Sequence, residues 1–268
     1  MRLAHAWLAL QAVTSREVAK FLRQGGRLAS ALVRPLLWLV VFAAGFQNVF
    51  GVSIIPPYDT YIPYQTYIVP GLLGMVLLFN GMQSSLAMVY DREMGVMRLL
   101  LTAPLPRWYL LFCKLLAGTL LSVLQAYVFL IIAALFEVEV PFIGWLYALP
   151  VLVLSGMMLG ALGLLLSVNV RQLENFAGTM NFVIFPMFFI SPALYPLWKL
   201  EEAGAAALHL LARYNPFSHA VEAMRFALYG QANATSLLVI GAGTLLCFAL
   251  ALRGYDPQRG WIRQRGAA

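Results

Sequence analysis

The chain has 268 residues, of which 62% are hydrophobic and 11% charged, and its mean hydropathy is +0.80. Since a soluble globular domain is about half apolar and a quarter charged, this composition excludes a soluble domain, with or without a single anchor, and predicts a polytopic membrane protein. The net charge of +7 does not require a nucleic acid partner, because membrane proteins concentrate Lys and Arg on their cytosolic side.

Residues 1–27 are predicted to form an amphipathic segment before the first span. Thr14 and Glu17 have the spacing of a capping box, in which the threonine caps a helix start and the glutamate reaches back to it. Val18 and Phe21 then share one face, which is typical of a helix lying in the membrane interface. A soluble helix packed on the protein is the alternative. We favour the interface because the chain enters the bilayer directly afterwards.

Six apolar stretches are long enough to cross a bilayer as helices, which takes roughly 17 to 25 residues. The predicted spans are residues 32–50, 64–89, 108–136, 144–168, 175–194 and 236–252. The sequence therefore predicts an all-α polytopic fold with six transmembrane helices. The membrane domain covers residues 28–252, and residues 253–268 form a basic cytosolic tail.

The segment between the second and third spans, residues 90–107, carries charges of both signs. Its centre predicts a short helix of about two turns with Met94, Met97 and Leu101 on one face, and two prolines end it. Such a surface predicts a cytosolic partner; the alternative is that it lies on the membrane or on the chain's own inner ends. The candidate contact residues are Asp91, Arg92, Glu93, Met94, Gly95, Met97, Arg98 and Leu101.

Polar residues deep in the predicted spans are few: Asn80, Gln83, Gln125 and Asn181. Because each is costly against lipid, each is predicted to face the bundle, where interhelical hydrogen bonding is favoured over substrate binding. The fourth span contains Gly156 and Gly160 in a GxxxG pair, for which close helix packing is favoured over a place on a substrate path.

Residues 199–234 are too polar for a full span and too apolar for a free loop. We predict two short helices, 200–213 and one starting at Asn215, that form a re-entrant or interfacial hairpin on the outer side. Asn215 is the predicted N-cap and Pro216 the first helical residue. Glu222 and Arg225, three residues apart on the second helix, can pair.

Lys and Arg are distributed unevenly between the two sides of the predicted membrane domain. Fifteen of the 18 fall in the N-terminal segment counted through Arg34, the 90–107 region together with Lys114 just inside the third span, the turn at Arg171 and the tail, against three in the other connections. This distribution predicts that both termini are cytosolic and that the number of spans is even.

The sequence contains no convincing catalytic constellation. His5, His209 and His219 are scattered, and none has a partner at metal-ligand spacing. A P-loop is absent from the sequence. We therefore expect no catalytic residue, metal or cofactor in this chain.

Taken together, the sequence resembles the permease subunits of ABC-2 type transporters, in particular the exporters of drugs, lipo-oligosaccharides and polysaccharides. The resemblance extends over nearly the whole chain and lies in three places in order. These are Asp91-Arg92-Glu93-Met94-Gly95 with Leu99-Leu100, residues 103–107 and Lys114; residues 181–191 with Ala193-Leu194-Tyr195-Pro196; and Asn215-Pro216 with Arg225.

The resemblance implies an ATP-driven exporter permease in the bacterial inner membrane. Two such subunits would form the pore, a homodimer being favoured over a heterodimer. Two separate ABC ATPase subunits would carry ATP and Mg, so this chain is not itself an enzyme. Residues 90–107 would contain the coupling helix, the N-terminal helix would be the interfacial connecting helix, and the outer hairpin would cap the exit. The substrate would be amphipathic or lipid-linked, such as a drug, glycolipid or oligosaccharide, and would move outward.

Two other functions remain open from the sequence. The first is a membrane-embedded enzyme that modifies lipids or glycans, which would need clustered His, Asp or Glu at the membrane edge. The second is a permease-like scaffold or an importer component. Copurification of an ATPase and the direction of transport would separate these functions.

Overall fold

The computed structural model describes residues 3–23, 25–46, 56–94, 105–136, 138, 140–170 and 173–254. In this part of the chain there are ten helices and no β-strand, which confirms the all-helical fold class. In chain order the helices are α1 (Leu3–Arg23), α2 (Gly25–Phe46), α3 (Tyr64–Glu93), α4 (Arg107–Leu135), α5 (Phe142–Asn169), α6 (Leu173–Phe189), α7 (Trp198–Glu202), α8 (Ala206–Tyr214), α9 (Pro216–Leu228) and α10 (Ala234–Gly254).

Four of the described helices, α3, α4, α5 and α10, are long and apolar enough to cross a membrane. They correspond to the predicted second, third, fourth and sixth spans. The predicted first and fifth spans coincide with α2 and α6. In α2 the apolar stretch is Leu32–Val41, and α6 has 17 residues with Pro186 in its last turn. Both are therefore helical. The helix α6 is three residues shorter than the predicted 20-residue span, whereas α2 has 22 residues, and residues 47–50 of the predicted first span lie outside the described residues.

The centre of the fold is α5, which packs against α3, α4, α9 and α10. The middle of α3 is buried on all sides, with Ile68, Leu72 and Leu77 fully enclosed, as expected for a helix that is apolar all round. At Gly81 and Gly160 the backbones of α3 and α5 approach so closely that a Cβ on Gly81 would lie 3.0 Å from the Gly160 nitrogen.

The N-terminal helix differs from its prediction. Thr14 lies inside the continuous helix α1 and caps no helix start, so the predicted capping box of Thr14 and Glu17 is wrong. The residues before Thr14 are rich in Ala and Leu, which favour helix, and an interior residue's N–H already bonds to the preceding turn. The helix packs against α4 and touches α2.

The predicted outer hairpin contains three helices. The predicted helix 200–213 is divided into α7 and α8 at Gly204, whose φ of +70° suits glycine because a Cβ disfavours that region. The second predicted helix, α9, ends before Gly230, where φ is +71°. It packs against α3, α5 and α10, and its apolar face, including Phe217, is fully buried.

Candidate functional site: inner end of α3 and α4, outer cluster and internal cleft

An ion pair joins the C-terminal end of α3 to the N-terminal part of α4. Asp91 lies in the last turn of α3 and Lys114 in the second turn of α4, and Lys114 Nζ is 2.7 Å from Asp91 Oδ2. The two residues are 3% and 7% exposed. Buried charges are tolerated when they are paired and hydrogen-bonded, and this pair ties together the two helices that carry the charged loop.

Asp91 therefore lies inside the protein, although the sequence placed it on a surface for a partner. The neighbouring Glu93 and Met94 are exposed, Met94 by 61%. Tyr90 and Trp108 are also about half exposed, at 46% and 54%. We call Tyr90, Met94 and Trp108 the inner rim. The remaining predicted contacts lie outside the described residues, namely Gly95, Met97, Arg98 and Leu101, as does the side chain of Arg92.

The polar residues of the spans do not all face the bundle. Asn80 Nδ2 on α3 donates to Gln125 Oε1 on α4, and Gln125 is 1% exposed. Gln83 is half-buried nearby. Asn181, in contrast, is exposed next to Phe182, which is 79% exposed. The prediction that Asn181 faces the bundle is wrong for the single chain.

The exposure of Asn181 does not follow from the helical period of α6. Its buried residues Ile184 and Phe188 are four apart on one face, and they direct that face towards the core. At about 100° per residue, Asn181 lies about 60° from Ile184 and about 20° from Phe188 around the helix. The helical period alone would therefore place Asn181 near the buried face, yet Asn181 is exposed, as are Phe182 and Phe185 (44% exposed).

The two glycines of the GxxxG pair lie against neighbouring helices. A Cβ on Gly156 would lie 3.0 Å from Thr119 Cγ2, and one on Gly160 would lie 2.7 Å from Leu115 Cδ1. Both contacts are with α4, while the Gly160 backbone also meets Gly81 of α3. The pair thus lies where three helices pack together.

Arg225 is the centre of a buried cluster near the start of α3, at the opposite end of this helix from Asp91. It is 2% exposed and pairs with Glu222 on α9. Its Nη2 donates to the Pro192 carbonyl at 2.7 Å, and its guanidinium carbon lies 4.2 Å from the centre of the Tyr67 ring. The Tyr67 hydroxyl donates to the same carbonyl at 3.1 Å. The cluster connects α9 to α3 and to the turn after α6.

Asn215 makes a second connection between the hairpin and α6. Its Oδ1 accepts from the Phe217 N–H at 3.0 Å, as an N-cap does, with Pro216 as the first residue of α9. Its Nδ2 donates to the carbonyls of Met187 and Ile190, each at 2.7 Å. These carbonyls lie at the end of α6, where a helix leaves acceptors without an internal donor.

Tyr58, in the loop before α3, also packs near this cluster, with its ring centre 4.9 Å from that of Tyr229. Burial raises the pKa of the Tyr58 hydroxyl above its ordinary value, although the nearby charge of Arg225 acts in the opposite direction. Tyr58 is therefore neutral at physiological pH.

A narrow polar cleft lies between α1, α3 and α4, which we call the Glu17 cleft. It has a cavity of about 30 Å³ and is lined by Glu17, Asn80, Gln83, Ser84, Gly118 and Leu121. An adjoining cavity of about 20 Å³ is also lined by Glu17 and extends to Lys114 and Ser122. Cavities of this size hold one or two waters.

Residues 8–229 match the sequence pattern of the protein family described as ABC-2 type transporter. The chain belongs to the ABC-2 type transporter family. This confirms the resemblance drawn from the three sequence motifs, and members of the family normally work with an ABC ATPase.

Three relatives of this ABC-2 permease are named as transport permeases. The protein ycf38 of Porphyra purpurea is 29% identical over 221 residues, which are 81% of this chain and 72% of ycf38. The inner membrane transport permease YadH of Escherichia coli K12 is 23% identical over 92% of this chain and 96% of its own. The daunorubicin resistance ABC transporter permease protein DrrB1 of Streptomyces coeruleorubidus is 25% identical over 94% of this chain and 85% of DrrB1.

The histidines of the ABC-2 permease have separate partners in the described residues. His209 Nε2 lies 3.3 Å from Glu201 Oε1, while His219 Nε2 lies 3.1 Å from the Arg213 carbonyl oxygen. Among the described residues, no three His, Cys, Asp or Glu side chains are close enough together to hold a metal ion. His5 lies in α1, and its side chain is outside the described residues.

Sequence reasoning missed two features of this ABC-2 permease. Lys114 was noted only as part of a motif, although an apolar helix with one lysine near its inner end could have suggested an internal partner. Glu17 was assigned to a helix cap, because the face of α1 that packs against α4 cannot be read from α1 alone.

Proposed function

We propose that this ABC-2 family member is the permease subunit of an ATP-driven exporter. It works as a homodimer with two separate ABC ATPase subunits, which carry ATP and Mg. The chain crosses the bacterial cytoplasmic membrane six times, with residues 1–27 and the tail on the cytosolic side. The substrate is amphipathic or lipid-linked and moves outward.

The observation that carries this proposal is the inner end of α3 and α4. The inner rim of Tyr90, Met94 and Trp108 exposes large apolar side chains beside a charged loop, and apolar surface grouped in this way is typical of a protein contact. The ion pair between Asp91 and Lys114 ties both helices together at the base of the loop. A partner that moves the loop therefore moves both membrane helices as one unit.

Homodimer formation is supported by the exposed face of α6. Asn181 lies there beside Phe182 and Phe185. A side-chain amide facing lipid is costly because its hydrogen bonds are unmet. A second copy of the chain would cover the amide, and two copies of Asn181 related by a two-fold axis could bond to each other.

The outward direction and the substrate class rest on two observations. The outer hairpin is fastened over the ends of α3 and α6 through Arg225 and Asn215, where it can cover an exit. The name of one relative, a daunorubicin resistance permease, supports a drug or another amphipathic compound as substrate. Fifteen of the 18 Lys and Arg residues lie in the segments assigned to the cytosol, which supports the orientation.

The test introduces a charge into the inner rim. We expect Met94→Asp to reduce copurification of the partner ABC ATPase about tenfold, and ATP-dependent uptake of substrate into inside-out vesicles by the same factor. The reason is that burying an unpaired carboxylate at the contact costs at least about 1.4 kcal/mol. The side chain is 61% exposed, so folding should be unaffected. The matched control is Leu208→Asp, at an exposed apolar position of the outer hairpin. Unchanged copurification and uptake with Met94→Asp would contradict the proposal.

A further inference from the structure

The Glu17 cleft lies beside interior turns of α3 and α4 rather than at the helix ends that the charged loop joins. Ser84 is nine residues before the end of α3 at Glu93, and Gly118 is eleven residues after the start of α4 at Arg107. At about 1.5 Å per residue, they lie about 14 and 17 Å from those helix ends. A carboxylate that lines a cleft between packed helices is costly unless it has a partner.

The cleft has a net negative charge. The adjoining cavity contains Lys114, but its ammonium group is 2.7 Å from Asp91, and the two charges compensate each other. Among the residues that the structure describes, none forms an ion pair or hydrogen bond with the Glu17 carboxylate. Glu17 therefore determines the sign of the charge that the cleft attracts.

The neutral groups of the cleft can accept further hydrogen bonds from a cation. The Asn80 amide nitrogen donates to Gln125, which leaves the Asn80 carbonyl oxygen as an acceptor. Gln83 and Ser84 contribute an amide oxygen and a hydroxyl oxygen. A primary ammonium group has three N–H donors, so a carboxylate with two neutral acceptors matches it.

The size of the cleft selects among cations. A cavity of about 30 Å³ has room for one or two waters. A primary ammonium group has the size of a water, whereas a trimethylammonium group or a sugar ring is much larger. Leu121 and Gly118 form an apolar side of the cleft, along which a hydrocarbon chain can lie.

We propose that the Glu17 cleft binds the primary ammonium group of an amphipathic amine during transport. This inference rests on the proposed function and narrows its substrate class. Glu17 pairs with the ammonium group, and Asn80 and Ser84 accept its other hydrogen bonds. The substrate thus contacts α1, α3 and α4 together, close to the ion pair at the base of the charged loop.

The test measures binding to the permease alone, in nanodiscs of zwitterionic lipid, with empty nanodiscs subtracted. Three fluorescent probes share the dansyl-pentyl body of dansylcadaverine and end in a primary ammonium, a trimethylammonium or an acetamide group. We expect the primary amine to bind about tenfold more tightly than either of the others, since a charge-assisted hydrogen bond is worth about one such factor. This comparison uses the unmodified protein and does not depend on the folding of any variant.

The variants then assign the effect to Glu17. We expect Glu17→Gln to weaken binding of the amine about tenfold and to leave binding of the acetamide unchanged, whereas Glu17→Asp retains the preference for the amine. The control Glu202→Gln removes one exposed carboxylate of the outer hairpin and should change nothing. Equal affinities for the three probes, or an unchanged affinity of Glu17→Gln for the amine, would overturn the inference.

The ATPase is absent from this binding experiment. If Met94→Asp leaves ATPase copurification unchanged while the primary amine still binds preferentially, the proposed coupling fails and the amine site stands. If coupling holds and the three probes bind equally, only the amine site fails.

Discussion

Two buried basic residues hold this protein together at opposite ends of its membrane domain. Lys114 pairs with Asp91 at the inner end, and Arg225 pairs with Glu222 at the outer end. Each lies in a part of the fold that connects several helices. Because a buried charge without its partner costs more than the pair itself contributes, single and double substitutions at these positions should give different results.

At the inner pair, we expect Asp91→Asn to lower stability by about 3 kcal/mol, because it leaves the Lys114 ammonium group buried and unpaired. The exchange of both residues, Asp91→Lys with Lys114→Asp, should recover part of the loss. The measurement is the melting temperature in detergent, together with transport per ATP hydrolysed. If the double exchange is no more stable than the single variants, the two residues do not interact directly.

At the outer pair, Arg225→Leu should lower stability by about 2 kcal/mol, because Glu222 loses its partner and the Pro192 carbonyl loses a donor. Adding Glu222→Leu should restore part of this loss, since no unpaired carboxylate remains. Thermal unfolding in detergent measures the stability of the single variant and of the double variant. Equal melting temperatures for wild type and Arg225→Leu would show that the cluster does not fasten the hairpin.

At the scale of the helices, packing depends on positions where two backbones meet without side chains between them. Gly81 and Gly160 bring α3 and α5 together, and Gly156 faces α4. Small residues at such positions allow dispersion contacts along the whole interface. The α5 helix can therefore contact α3 and α4 at the same level.

We predict that Gly160→Leu destabilises the protein by at least about 1 to 3 kcal/mol, the usual cost of overpacking, since even a Cβ there would lie 2.7 Å from Leu115 Cδ1. The matched control is Gly241→Leu on α10, where nothing lies within 4 Å of the added Cβ. Yield and melting temperature in detergent measure the difference. A Gly160→Leu protein as stable as the control would contradict the observed packing.

At the scale of the whole molecule, the distribution of Lys and Arg predicts the orientation in the membrane. In a background without Cys113 and Cys247, we predict that Asp59→Cys reacts with an impermeant thiol reagent in intact cells. The control Glu174→Cys, also at an exposed position, should react only after the membrane is opened. Labelling of Glu174→Cys from outside would contradict the predicted cytosolic turn between α5 and α6.

The sequence by itself determined the features that depend on neighbouring residues along the chain. Long apolar runs predicted α3, α4, α5 and α10, because a helix that satisfies its own backbone needs only length and composition to suit a membrane. Asn215-Pro216 predicted the start of α9, because capping involves residues only two or three apart. The family followed from motifs in a fixed order.

Only the tertiary structure decided which side of each helix is covered. Asn181 is exposed and Asp91 buried because neighbouring helices determine those environments, and neither α6 nor the charged loop specifies its own neighbours. Likewise, α1 continues through Thr14, and Glu17 lines an internal cleft with α3 and α4. Contacts between residues distant in the chain depend on the combined packing of all the helices, and local spacing contains no information about that packing.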